Sequence, residues 1–228
     1  MSADDRLAGA LDRLWDEQFR RREEAATAPE LQLHDLITAL ETRNAEVAAK
    51  TIGHWLERRA RETDRVSVVA TGLSWLGGGT RSVEQTLISM IGRAAHEILV
   101  TAYALTSGSV RVTHQLERAA ATGVRCVFVV NRFRDQSPEI RDRLRQLADQ
   151  HPSTVAIYSY DGSTALEGLH AKVVVRDRME AVVGSANLTF HGLTTGHELG
   201  VLVEGPGAAS LATAIDMIIA SPQVHRTH

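Results

Sequence analysis

Residues 170–187 read HAKVVVRDRMEAVVGSAN, and the order of apolar and polar side chains in this stretch decides how the chain around it folds. Three successive valines, Val173 to Val175, predict a strand covered on both faces. Arg176 to Met179 supplies a polar turn, and Glu180 to Val183 returns as a second strand. With Val175 opposite Glu180, the antiparallel register sets His170 opposite Ser185 and Lys172 opposite Val183. His170 and Lys172 are two apart, so a strand projects both from one face. Asn187 shares a face with Ser185 by the same rule. An imidazole, an ammonium, a hydroxyl, an amide and the backbone of GSAN (184–187) are thus expected together. Donors converging from several directions suit the oxygens of a tetrahedral anion, and phosphate is the expected ligand.

Outward from the hairpin, strands are expected at Val66–Ala70, Glu97–Ala104, Val124–Val130, Thr154–Tyr158, His170–Val175, Ala181–Val183 and Glu198–Val203. Helices are expected at Ser82–Ala95, Val110–Thr122, Glu139–His151 and Ala208–Ala220. Strands alternating with helices of this length predict an α/β domain, its mixed, largely parallel sheet flanked by helices on both faces. The pattern begins at VSVVATG, so we place this domain at 66–228. Residues 1–65 read as an all-helical extension, with Leu7, Leu11, Leu14, Trp15 and Phe19 at helical spacing. Thr27, Pro29 and Glu30 there form the start signal of a second helix.

Composition narrows the function. A net charge of -3 gives no global basic signature, so any nucleic-acid surface is a local patch. No apolar run approaches the roughly 20 residues that cross a bilayer, and the charged start MSADDRLAGALDRLWDEQ lacks a secretory core, so a cytoplasmic protein without a membrane segment is expected. The single cysteine, Cys126, lies in VRCVFVV and reads as a buried small hydrophobe. No Cys/His spacing or acidic cluster suggests a metal or other cofactor. Of the 25 basic residues only Lys50 and Lys172 are lysines. A lysine amid so much arginine hints that a compact ammonium is needed at 172.

HAKVVVRD, GSANLT and HELGV, with the upstream EILVTAYALT and LERAAATGVRCVFVV, together resemble the phospholipase D superfamily, in particular its single-motif bacterial nucleases, over roughly residues 80–220. The resemblance implies the HxKxxxxD motif at His170, Lys172 and Asp177. It assigns His170 as the nucleophile of a phosphohistidine intermediate and a second motif's histidine as the acid for the leaving oxygen. It gives Lys172 and Asn187 to the phosphate, Ser185 as a further phosphate contact and Glu198 as the residue orienting an imidazole. Asp177 then supports the motif by hydrogen bonding. A histidine side chain ordinarily titrates near pH 6.5, so one copy can be neutral while another is protonated. One motif per chain therefore predicts a homodimer sharing one active site across a twofold axis.

The expected activity is metal-independent cleavage of DNA or RNA. The alternatives are lipid phosphodiester chemistry and a phosphate- or nucleic-acid-binding subunit with little turnover. VVATG, the helical extension and the single motif together resemble the phospholipase D-like component of the DISARM anti-phage system, which implies defence-system partner proteins. Arg132 and Arg134, after the strand VRCVFVV, are the preferred substrate contacts. Arg20 to Arg22 and Arg58, Arg59, Arg61 and Arg65 read as solvated helix faces. Trp75 and the glycines at 77–79 could rim the site, and His191 and His197 read as surface or supporting residues.

Overall fold

The β-branched runs between the helices pair into one sheet. The computed structural model describes residues 63–72, 80–102, 110–164 and 167–228. The expected N-terminal helices with their Thr27–Glu30 start signal, Arg20 to Arg22, Arg58, Arg59 and Arg61, the Trp75 loop with its glycines, and the last two residues of the expected strand 97–104 lie outside the described residues. Contacts divide the chain into Met1–Thr63 and Asp64–His228, and the sheet with its helices belongs to the second unit.

In chain order the elements of this unit are β1 (Arg65–Thr71), β2 (Arg81–Ser82), α1 (Val83–Gly92), β3 (Glu97–Ala102), α2 (Val110–Ala121), β4 (Arg125–Asn131), α3 (Pro138–Gln150), β5 (Val155–Tyr160), β6 (Val173–Arg176), β7 (Glu180–Gly184), β8 (Glu198–Glu204), α4 (Pro206–Ile219) and β9 (Val224–Arg226). The sheet order is β2-β1-β8-β7-β6-β3-β4-β5-β9. The run β3-β4-β5 is parallel, as crossover helices require, whereas β6, β7 and β8 form an antiparallel meander. Two short strands escape a reading by periodicity, β2 and β9: neither is long enough to show an alternation.

Alternation along the strands separates two apolar layers. Ile98, Val100, Cys126, Phe128, Val174 and Val182 point to the face that α1, α2 and α3 cover. Leu99, Val127, Val129, Val175 and Ala181 point to the face covered by Ala208, Ala212 and Ile215 of α4. That double burial is why the runs VFVV and VVV carry no polar residue. Cys126 is fully buried, and burial pushes its thiol up to about 12, so it packs as a hydrophobe.

The hairpin differs from expectation by one residue. Arg176 faces Glu180 and Val173 faces Val183, so the loop holds three residues, not four. Asp177 and Arg178 both take positive φ, 50° and 55°, which reverses the chain more tightly than the expected polar turn. The slip moves Lys172 from Val183 to Gly184, whose N–H donates to the Lys172 carbonyl at 3.2 Å. β6 itself begins at Val173, later than expected, leaving His170 ahead of the strand.

Asp177 explains why so unusual a turn is held. Its side chain is 3% exposed and accepts N–H bonds from Ala95 (2.9 Å), His96 (2.8 Å) and Glu97 (2.8 Å), with Arg176 at 3.0 Å. Burial alone would raise its carboxyl, but these backbone donors and Arg176 together hold it below the ordinary value of 3.8. Glu180, also buried, receives the Arg93 guanidinium at 3.0 and 2.9 Å and Arg176 Nε at 3.0 Å. Replacing Asp177 by Ala leaves three backbone donors without their acceptor and should cost about 1–3 kcal/mol, read from the urea midpoint. Because the folded carboxyl is depressed, the wild-type advantage over the variant is complete above pH 3.8 and vanishes as pH falls through the lower folded value.

Candidate active site

The site begins where β6 begins. The Val173 N–H donates to Oγ1 of buried Thr101 at 3.0 Å, fixing the first residue of the strand against β3. Upstream, the buried Asn131 side chain accepts the Leu169 N–H at 2.8 Å, and Arg132 donates to the Thr164 and Glu167 carbonyls at 2.7 and 3.2 Å. These bonds tether the segment ahead of His170 to the end of β4. His170 emerges exposed and Lys172 half-buried, with the Lys172 ammonium 3.1 Å from His170 Nδ1 and 3.3 Å from Nε2. The ammonium also donates to the His170 carbonyl at 2.8 Å.

Across the sheet from Lys172 stand two glycines. Gly184 follows Lys172, and Gly200 is paired with Gly184. A Cβ on Gly184 would meet the Gly200 Cα and the Leu199 carbonyl at 2.8 Å, and one on Gly200 would meet the Val183 carbonyl at 2.7 Å. The pair therefore lets β7 and β8 approach closely beside Lys172. Burial lowers the Lys172 ammonium below its ordinary 10.5, and the Glu198 carboxylate opposes that shift. Glu198 also accepts a short bond from Ser185 Oγ, which in turn receives the Leu199 N–H at 3.2 Å.

Placement sorts the expected residues. His170, Lys172 and Glu198 form one electrostatic group. Ser185 comes to Glu198 across β7 and β8, where its N–H also donates to the Leu199 carbonyl at 3.1 Å. Asn187 lies close by in the chain, its Oδ1 buried with no donor, and Gly192 packs against its backbone. Asp177 is five strand positions from Lys172, about 17 Å at a strand's rise, so it touches no atom of the site and serves the hairpin alone. Arg132 donates through Nη2 to carbonyls of the segment before His170, and Arg134 is exposed. His191 meets Thr195 Oγ1 at 3.1 Å, in a π-helical turn His191–Thr195. Thr101, Asn131 and the glycine pair were not anticipated. Only the glycines left a trace in the sequence, each interrupting a strand pattern. Among the described residues no three His, Cys, Asp or Glu side chains form a group suited to a metal ion.

Residues 87–217 match the family described as Cardiolipin synthase, PLD-like domain. The chain belongs to the phospholipase D-like family. The match runs from α1 to α4 and contains His170, Lys172 and Glu198. Over 146 residues the chain is 31% identical to the DISARM protein DrmC of Bacillus paralicheniformis, covering 64% of this chain and 59% of that relative. The fold is similar to that of a phospholipase D family member, Nuc, from Salmonella typhimurium, with a TM-score of 0.57 at 20% identity over 73% of this chain and 99% of that one. NucT from Helicobacter pylori gives 0.54 at 16% identity, over 70% and 98% of the two chains. Phosphatidylserine synthase from Haemophilus influenzae Rd KW20 gives 0.53 at 13%, over 72% of this chain and 40% of its own. In this phospholipase D-like chain no helix among the described residues is long and apolar enough to cross a membrane.

A side chain at the glycine pair should be poorly tolerated, because the atoms it would meet are backbone. Gly184→Ala is expected to lower stability by about 1–3 kcal/mol, measured by urea denaturation, through overpacking of β7 on β8.

Proposed function

We propose that the protein is a metal-independent phosphodiesterase, specifically a nuclease acting on DNA or RNA through a phosphohistidine intermediate. The observation that carries this reading is the Lys172 ammonium held within 3.1 Å of the His170 ring, with the Glu198 carboxylate acting on it. A ring nitrogen of His170 attacks phosphorus, and the bond from phosphorus to the leaving oxygen breaks. Lys172 and Asn187 stabilise the charge that gathers on the phosphoryl oxygens. The leaving alkoxide takes its proton from a second imidazole, which then removes a proton from the water that hydrolyses the phosphohistidine.

The chain carries one such histidine motif, so the second imidazole is assigned to His170 of another copy, in a homodimer with one shared site. Ser185 holds Glu198 in place and contacts phosphate on its exposed side, Arg134 reaches the substrate, and Arg132 contributes by securing the loop before His170. We place the catalytic domain in the unit Asp64–His228, which opens with β1 at Arg65. The similarity to a DISARM protein supports a role in anti-phage defence beside partner proteins, in the cytoplasm. It also favours a second reading, a nucleic-acid-binding subunit with little turnover.

Plasmid, single-stranded DNA, RNA and a chromogenic phosphodiester, each incubated in EDTA, test the first reading. Cleavage should persist, and His170→Ala should reduce it by at least the ~10²–10⁴-fold that proton transfer alone supplies. Salt-dependent binding without turnover would select the binding subunit, and turnover of lipid alone a lipid phosphodiesterase. An active monomer in sedimentation would overturn the shared site. Protonated Lys172 is required, so kcat/KM should fall on the alkaline side at a pH below 10.5. Glu198→Gln removes the carboxylate that holds the proton on Lys172 and should move that limb to still lower pH.

A further inference from the structure

A cleft of about 450 Å³ opens on the flank of α1, lined by Arg81, Ser82, Gln85, Ser89 and Arg93 above Leu202. It shares no lining residue with the His170 site, yet the sheet connects the two. Arg81 pairs with Val69, Val69 with Gly200, and Gly200 with Gly184, whose N–H bonds the Lys172 carbonyl. Arg81 thus stands in the cross-strand row of Lys172, four strands away, about 19 Å at ~4.8 Å per strand. Residues directly opposite share a face, so Arg81 lies on the face of Val69, the one that α1 covers.

The charges around the cleft leave one guanidinium unspent. Glu204 takes both ends of Arg65 at 2.7 Å. Glu180 takes Arg93 and Arg176, and Asp177 takes Arg176. Arg81 acts on Glu204 only at longer range, and among the described residues it makes no ion pair. It is exposed, beside the hydroxyls of Ser82 and Ser89 and over the apolar Leu202 floor. A planar fork of donors, flanking hydroxyls and an apolar floor match a phosphodiester with its sugar.

We propose that this cleft holds a backbone phosphate of the nucleic-acid strand whose scissile phosphate lies at His170 and Lys172, with Arg81 as the principal contact. The inference rests on the nucleic-acid reading of the His170 site, and the cleft extends it by giving the strand a direction, from the site toward the β2 edge of the sheet.

The test uses the full chain carrying His170→Ala, so that a labelled single-stranded oligonucleotide long enough to span both positions is bound but not cut. Affinity is followed by fluorescence anisotropy against salt. Adding Arg81→Gln should weaken binding several-fold and reduce the slope of log K against log salt by about 0.7, the value of one single-strand phosphate contact. Arg81→Lys should restore most of that slope. Arg118→Gln, at an exposed arginine of α2, should change neither quantity. An unchanged slope in Arg81→Gln with binding intact would overturn the cleft and leave the nucleic-acid reading standing. An equal loss in Arg118→Gln would likewise overturn it, in favour of diffuse attraction. Absence of salt-dependent binding in the parent would overturn the nucleic-acid reading, and the cleft with it.

Discussion

Three backbone N–H groups, from Ala95, His96 and Glu97, converge on the Asp177 carboxylate, and the geometry of the hairpin follows from that convergence. They tie the turn between β6 and β7 to the start of β3, so the tight reversal with positive φ at Asp177 and Arg178 is held by tertiary contacts. With the turn fixed, the register is fixed. Lys172 must then face Gly184, and no other position on β7 brings a glycine to it. The motif's aspartate acts on the site through strand register, about 17 Å away, without approaching the chemistry.

Register explains the glycines as well. Lys172, Gly184 and Gly200 form one row, and a side chain at either glycine would collide with the backbone of the neighbouring strand. The row brings the β8 end that carries Glu198 within electrostatic reach of Lys172. Burial works against the ammonium and the carboxylate works for it, so the charge state of Lys172 depends on how closely β7 and β8 lie.

Much of this was legible in the sequence. The doubly buried strands followed from VFVV and VVV, and the grouping of His170, Lys172 and Glu198 from spacing and family resemblance. The one-residue slip was not legible, because it depends on two non-glycine residues adopting a left-handed conformation that only distant backbone donors sustain. Arg132 was expected as a substrate contact; that its Nη2 also donates to carbonyls more than thirty positions along the chain was not legible, because no local pattern encodes such a pairing. Thr101 and Asn131 escaped for the same reason: each contributes a single long-range hydrogen bond from a buried side chain.

The loop ahead of His170 is fastened to β4 through Asn131 and Arg132, and these few bonds have a thermodynamic meaning beyond placement. Releasing them also loosens buried Leu169 from the layer under α4, so the opening gives up part of that layer while the rest stays packed, and it costs less than global unfolding. The population of chains with the histidine in position is then governed by a local equilibrium distinct from overall unfolding. A more heat-resistant protein need not be a better-assembled one at this loop, and exchange of the Leu169 amide with solvent reports that equilibrium directly.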